Sequence, residues 1–291
     1  MNPYIMLLLM QSISMLMLYL GKKLQLGIKP TASNMFQANL ASAVVACVCL
    51  WAANGFKVNY NPTVLVFSAC YGTLATFSLF FMIYSYSRIS ITLSAIISTS
   101  GSIITPLLFG VIFGGEPLSL KLVASAVLIL TAAILPVAKD VFKQTDIRFV
   151  WFLVVYFIFS GLPNILNKIY TQNPNTTDEL SYFFLTNVFM FIICLTGVVT
   201  IYLKNRKSVG FERVSTPILI NSSTRTILSL FTSYLSVAAL ALLDVSLYSV
   251  LTASLGLLGN ALISNFIFKE KLSNAGKISV ALAILSFVVG S

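Results

Sequence analysis

The stretch Gly114-Gly115-Glu116-Pro117-Leu118-Ser119 recurs in worn form as Phe268-Lys269-Glu270-Lys271-Leu272-Ser273. Each is a short polar turn between two long apolar runs. Placing Glu116 on Glu270, an offset of 154, sets Leu118-Ser119 on Leu272-Ser273. The same offset sets Leu93, Ser100, Ser125 and Leu128 on Leu247, Ser254, Ser279 and Leu282. With Leu108 on Leu262, that makes 8 identities over the 41 positions 90–130. The identities are few, but the order of apolar run, E-x-L-S turn and apolar run is kept near the end of each half. The chain therefore reads as two copies of one unit.

Composition says what the units are made of. Mean hydropathy is +0.94, 58% of residues are hydrophobic and only 9% are charged. Soluble domains carry about 25% charged residues. An apolar run of about 20 residues spans a bilayer as a helix. Such runs occupy 3–20, 33–53, 62–87, 89–114, 118–138, 147–169, 179–203, 217–243, 245–268 and 274–290. The fold class expected is an all-α membrane protein with ten transmembrane helices. A barrel would instead show short alternating strands. The first run has no Lys or Arg before it and no small-residue cleavage pattern after it. It reads as a retained helix and not as a signal peptide.

The formal net charge is +10, and its distribution assigns it to the membrane surface. Ten spans divide the loops between two sides. One side holds Lys22, Lys23, Lys29, Arg88, Lys139, Lys143, Arg148, Lys204, Arg206, Lys207, Arg213, Lys269, Lys271 and Lys277. The other holds Lys57, Lys121 and Lys168. The positive-inside rule makes the first side cytoplasmic, facing anionic inner-leaflet lipids, with both termini outside. No nucleic-acid partner is expected.

Several chemistries are excluded by residue type. The chain has no histidine, so His-dependent triads, relays and imidazole metal sites are absent. No phosphate-binding P-loop occurs, so ATP does not drive this chain directly. Cys47, Cys49, Cys70 and Cys194 all lie in spans without metal or disulfide spacing and read as small buried residues. No enzyme, cofactor or metal is expected. Oligomeric state is not readable.

A second echo marks the start of each half. Ser14, Leu20 and Lys22 fall on Ser160, Leu166 and Lys168, and Phe36 and Asn39 on Phe184 and Asn187. The halves are 1–140 and 141–291, with five helices each. Five is odd, so the halves enter the membrane with opposite polarity, as inverted repeats. Two five-helix halves, a Lys closing the first helix of each, and an E-x-L-S turn between the fourth and fifth resemble the drug/metabolite transporter superfamily, EamA type. The resemblance covers essentially the whole chain. It implies helices 1, 3, 4, 6, 8 and 9 around a central cavity, helices 5 and 10 peripheral, and movement of small metabolites by alternating access. It also implies cytoplasmic termini, where the basic loops argue the reverse.

Solute class follows from what the spans lack. No Asp or Glu precedes Glu116, and helix 1 offers Gln11, Ser12 and Ser14. A buried cation would meet no negative partner, which is costly. Neutral, zwitterionic or anionic solutes, such as amino-acid-like ones, therefore rank above cationic drugs. The candidate solute-binding groups are Gln11, Ser14, Asn39, Tyr71, Tyr84, Tyr156, Asn164, Asn187, Arg225, Tyr234 and Asn260. Asn39 and Asn187 read equally as two parts of one site or as links between helices. Arg225 is a snorkelling cation or an anchor for a solute anion. Lys22 and Lys168 are helix-end anchors or guards of a cavity mouth. Glu116, Ser119, Glu270 and Ser273 read as structural turn residues that cap helix starts. Small-residue stripes, Ser94 to Gly110 and Thr252 to Ser264, read as close packing. The expected function is a secondary transporter of a small polar solute. The alternatives are a flippase for a lipid-linked sugar or other amphiphile, and a non-transporting receptor or assembly protein.

Overall fold

The computed structural model describes residues 2–27, 32–86, 91–135, 147–176, 178–205, 215–262 and 274–290. Among these it holds ten α-helices and no strand. They are α1 (Pro3–Gly27), α2 (Ala32–Ala53), α3 (Pro62–Tyr86), α4 (Ile91–Ile112) and α5 (Leu120–Ile134), then α6 (Ile147–Gln172), α7 (Glu179–Asn205), α8 (Thr216–Leu242), α9 (Val245–Leu262) and α10 (Asn274–Gly290). Every expected span overlaps one helix. Among the described residues, four stretches are long and apolar enough to cross a membrane: Phe36–Ala53, Trp151–Gln172, Glu179–Lys204 and Leu219–Leu242.

The helix ends follow local chemistry. Asn2 Oδ1 accepts from the Tyr4 N–H (2.9 Å), with Pro3 as the first helical residue of α1. Asn61 Oδ1 accepts from the Thr63 N–H (3.0 Å) at the start of α3, again with Pro62 first. Asp178 Oδ1 accepts from the Ser181 N–H (2.9 Å) at the start of α7. A polar cap followed by proline suits a helix start, where backbone N–H groups lack carbonyl partners. One expectation fails at a C-terminus. Lys22 and Lys168 do not close their helices, because α1 runs on to Gly27 and α6 to Gln172. Charge marks where an apolar run stops, but Lys is a good helix former and backbone hydrogen bonding continues through it. The boundary between residues 140 and 141 lies outside the described residues.

The chain forms two compact units, each drawing on both halves of the sequence. The first comprises Met1–Met15, Phe77–Gln172 and Leu235–Ser291. Its core holds two buried clusters. In one, Met6, Leu7 and Met10 of α1 join Ala239, Leu240 and Leu243 with Val245, Tyr248, Leu251 and Leu255. In the other, Ile103, Leu122, Ala126, Ile129 and Ala132 join Val250 and Ala283. Helices α4 and α6 approach closely through Gly101 and Gly161. A Cβ on Gly161 would lie 2.6 Å from the Gly101 carbonyl oxygen and 2.9 Å from Pro106 Cδ. The closest glycine of α4 is thus one position off the Ser94 to Gly110 stripe.

Helices α5 and α10 are joined by serines that are almost fully buried. Ser125 Oγ donates to the Ser286 carbonyl (2.9 Å), and Ser279 Oγ donates to the Ala132 carbonyl (2.5 Å). Adding 154 to residues 125 and 132 yields 279 and 286, so the two bonds exchange under the offset that aligns the Glu116 and Glu270 turns. As one residue number rises the other falls, so the pair is antiparallel. Ser286 Oγ also donates to the Ser125 carbonyl (2.8 Å) and lies 3.0 Å from Ser254 Oγ. The counterpart of Ser286 is Ala132, and the counterpart of Ser254 is Ser100, whose buried Oγ has no partner.

The second unit comprises Leu16–Thr76 and Asn173–Tyr234. Its main pair is α2 with α7. The Phe36 ring occupies the space beside Gly197, while Asn54 Nδ2 donates to Ser181 Oγ (3.1 Å) at the other end. The two contacts make this pair antiparallel as well. Ser68 Oγ donates to the Tyr182 carbonyl (3.0 Å), and Gly72 lies against the backbone of Thr186, bringing α3 onto α7. Ser222 of α8 bonds Ser42 Oγ (2.7 Å) on α2.

Candidate functional site

The E-x-L-S turn is built from two glycines. After α4, Gly115 takes φ +65°, a left-handed conformation that favours glycine, and the Glu116 N–H donates back to the Gly110 carbonyl (2.9 Å). Ser119 then caps its own helix α5, its Oγ accepting from the Leu122 N–H (3.1 Å). Glu116 caps a different helix, 129 residues away. Its Oε1 accepts from the Val245 N–H (2.7 Å), and its Oε2 accepts from the Ser246 N–H (3.1 Å) and the Ser246 hydroxyl (2.5 Å). The carboxylate thus holds the first two N–H groups of α9, where the positive end of the helix dipole favours an anion. Gly110 makes this possible, because a Cβ there would collide with the Glu116 carboxylate.

Lys168 completes the same junction from the other side. It lies on α6, is 8% exposed, and donates to the Leu240 (2.9 Å) and Leu243 (2.6 Å) carbonyls. The Leu240 carbonyl is in the last turn of α8 and Leu243 directly follows it, where the negative end of the dipole favours a cation. The turn from α8 into α9 is therefore held by a cation on the ending helix and an anion on the starting one. Lys168 anchors a neighbouring helix and not its own.

Gln11 is the candidate whose surroundings are most distinctive. It lies on α1 and is 7% exposed. Its Nε2 points at α9, 3.1 Å from where a Cβ on Gly259 would be and 3.8 Å from the same point on Gly256. Tyr156 on α6 is 4% exposed and stacks on Phe81 (centroids 6.3 Å apart). Ser14 and Asn164 are both half-buried in this unit. Two buried side-chain oxygens of this unit, Ser78 Oγ and Ser100 Oγ, have no hydrogen-bond partner, a costly state that calls for an explanation.

The remaining candidates fall in the second unit. Asn187 Nδ2 donates to the Phe183 carbonyl (2.8 Å) of its own helix, and Asn39 is half-buried on α2. The antiparallel register sets Asn39 opposite the region of Cys194 and Asn187 opposite that of Ala46, roughly 10 Å apart along the pair. The Tyr71 ring meets Tyr182 edge-on (5.8 Å). Arg225 is exposed, and Tyr234 is 49% exposed, so neither is walled in within its unit. The side chains of Lys22, Tyr84 and Asn260 are outside the described set, and Glu270 and Ser273 lie outside the described residues altogether.

Sequence reasoning singled out Gln11 but missed Gly259, whose role depends on which helix faces it. It also missed that Glu116 and Lys168 meet at one junction. Their spacing in the chain carries no sign of that. Among the described residues no cluster of acidic or cysteine side chains is placed to hold a metal.

No family model matches the chain, and no curated protein matches it. Solved structures do match. One, described as "Crystal structure of protein", superposes with a TM-score of 0.71 over 97% of this chain and 95% of that one, at 15% identity. At that identity the likeness establishes the shared all-helical fold and nothing about what the chain moves or binds.

Proposed function

We propose that this chain is a multi-pass membrane carrier, with ten spanning helices in two inverted five-helix halves, that moves a small polar solute by alternating access. The observation that carries the reading is that polar side-chain atoms, Ser78 Oγ and Ser100 Oγ among them, are buried among apolar helices without a hydrogen-bond partner. In an apolar chain such groups cost stability and are retained where a solute or water supplies the missing bonds.

Three further observations support it. The α5–α10 hydrogen bonds exchange under the repeat offset, as a two-fold relation between halves requires. Large apolar side chains such as Val48, Val66, Phe113, Trp151, Phe231 and Val288 are exposed, which suits lipid better than water. The E-x-L-S turns and paired lysines resemble the drug/metabolite transporter superfamily. The basic loops set both termini outside, against anionic lipid on the cytoplasmic face. The solute is neutral, zwitterionic or anionic, since α1 carries no carboxylate.

The test is solute counterflow into proteoliposomes across a metabolite panel, with and without a pH gradient. Saturable exchange of at least one polar solute, abolished by denaturing the protein first, is expected. Leakage indistinguishable from empty liposomes for every solute would overturn the carrier reading.

A further inference from the structure

One contact of the second unit is out of register with its counterpart in the other half. The offset of 154 sets Pro62, the first residue of α3, on Thr216, the first of α8, and sets Leu65 and Ser68 on Leu219 and Ser222. Helices α2 and α7 correspond at the offset of 148 that sets Phe36 and Asn39 on Phe184 and Asn187. Ser68 of α3 donates to the Tyr182 carbonyl of α7 (3.0 Å). Carried into the other half, that bond would run from Ser222 to the Asn34 carbonyl. Ser222 instead donates to the Ala38 carbonyl (3.3 Å) and pairs with Ser42 Oγ (2.7 Å). Ala38 corresponds to Thr186, and on α3 the residue seated at the Thr186 carbonyl is Gly72, whose Cβ would lie 2.8 Å from that oxygen. Equivalent seats thus hold residues four apart, a step of about 6 Å along the helix.

The same step shows in a hydrogen bond left unmade. Thr186 is 2% exposed, and its Oγ1 has no partner. A helical threonine commonly donates to the carbonyl four residues back, as Thr73 and Thr76 do to Ala69 and Gly72. For Thr186 that carbonyl belongs to Tyr182, and Ser68 holds it. A move of α3 by four residues toward the end of α7 would bring Ser68 to the Thr186 carbonyl and release the Tyr182 carbonyl to Thr186 Oγ1. That seat takes a serine, since Ser222 fills its counterpart on α2. Gly72, ahead of Ser68, has no side chain to catch on Phe189 Cβ or the Met190 nitrogen as it passes.

Resting on the carrier reading above, we propose that the register of α3 on α7 and of α8 on α2 is the two-position switch of the transport cycle. A carrier built of inverted repeats exchanges its two states by exchanging the conformations of its halves. In the state seen here Ser68 sits on Tyr182 and Ser222 on Ala38. In the other state Ser68 sits on Thr186 and Ser222 on Asn34. One helix advances by a turn as the other retreats by a turn. Each state then holds one advanced and one retracted contact, which keeps the two close in energy. Interlocked side chains make the registers discrete, because packed helices resist the positions between them.

Cysteine pairs read the register in the full chain in proteoliposomes, on a background with the four native cysteines replaced. Ser68→Cys with Met190→Cys is the counterpart of Ser42→Cys with Ser222→Cys. In the state seen here Ser68 is level with Tyr182, about 12 Å along α7 from Met190 and beyond disulfide reach. After the step that pair stands as Ser42 and Ser222 do now. Copper phenanthroline is expected to close both pairs, read as loss of thiols that react with a polyethylene-glycol maleimide in denaturant. A protein carrying both pairs should form one disulfide per molecule. Val64→Cys with Thr186→Cys, one turn earlier on both helices, repeats the test with other residues. Thr186→Val removes the bond gained on advancing and should slow closure of the Ser68→Cys, Met190→Cys pair by ~2- to 12-fold, the worth of one neutral hydrogen bond, at an unchanged unfolding midpoint. Failure of both α3–α7 pairs to close, two disulfides in the protein carrying both first pairs, or an unchanged closure rate in Thr186→Val would each overturn the switch. Transport separates the two readings. Counterflow with neither α3–α7 pair closing removes the switch and leaves the carrier. Closure of these pairs with no counterflow of any solute keeps the two registers and removes the carrier.

Discussion

Replacing Glu116 with alanine removes the anion that starts α9. Three donors lose their acceptor together: the Val245 N–H, the Ser246 N–H and the Ser246 hydroxyl. Val245 and Ser246 are essentially fully buried, so water reaches these groups poorly. An unsatisfied buried donor costs ~1–3 kcal/mol, and loss of a charge at a helix N-terminus a further ~0.3–1 kcal/mol. The hydroxyl can rotate to another acceptor and part of the penalty relaxes, so about 2–5 kcal/mol is expected for Glu116→Ala. Glu116→Gln keeps one accepting oxygen but turns an amide N–H₂ toward an N–H, and should cost about 1–2 kcal/mol. Ser119→Ala, an exposed cap with a single bond, should cost ~1 kcal/mol. Unfolding midpoints in mild detergent should fall in the order Glu116→Ala, Glu116→Gln, Ser119→Ala, the first by on the order of 10 °C. A Glu116→Ala protein as stable as the parent would refute the capping argument. Intact stability with lost solute binding would move Glu116 into the binding site.

Lys168→Met should lower stability by ~1–3 kcal/mol in the same assay, since two carbonyls at the end of α8 lose a charged donor while the cost of burying an ammonium is recovered. An increase in stability would mean that the buried charge costs more than it holds. Ala132→Ser should supply the partner that Ser100 lacks, raising stability by about 1 kcal/mol only when Ser100 is present. A double-mutant cycle with Ser100→Ala reads that coupling, and a value near zero would deny the repeat relation at this position. Asn187→Leu breaks a bond within one helix and should change stability by less than ~1 kcal/mol. A large loss on thermal unfolding would restore the helix-linking role. For orientation, single cysteines at positions 175 and 208 in a cysteine-free background should label from outside at 175 alone. Labelling of intact cells at 208 alone would reverse the topology.

Much of the helical fold was legible because its signal is local. Apolar runs bounded by Asn2-Pro3, Asn61-Pro62 and Asp178 state where helices begin, and the bond partners of those caps lie within three residues. Ser119 belongs to the same class. The ends past Lys22 and Lys168 were misjudged because hydropathy reports solvent preference and helix hydrogen bonding does not depend on it.

By itself, then, the sequence determined ten apolar helices, a repeat offset of 154 and the types of polar group carried on each helix. Only tertiary structure decided partners. Glu116 reads in the chain as a cap for α5 and turns out to hold α9, while Lys168 holds α8 from α6. Gln11 is one polar residue among several until Gly259 of α9 is found facing it. The physical reason is range. Helix formation is settled by hydrogen bonds three or four residues apart, whereas the acceptor for a buried charge or amide is set by which helices pack together, and residues more than 70 positions distant meet there.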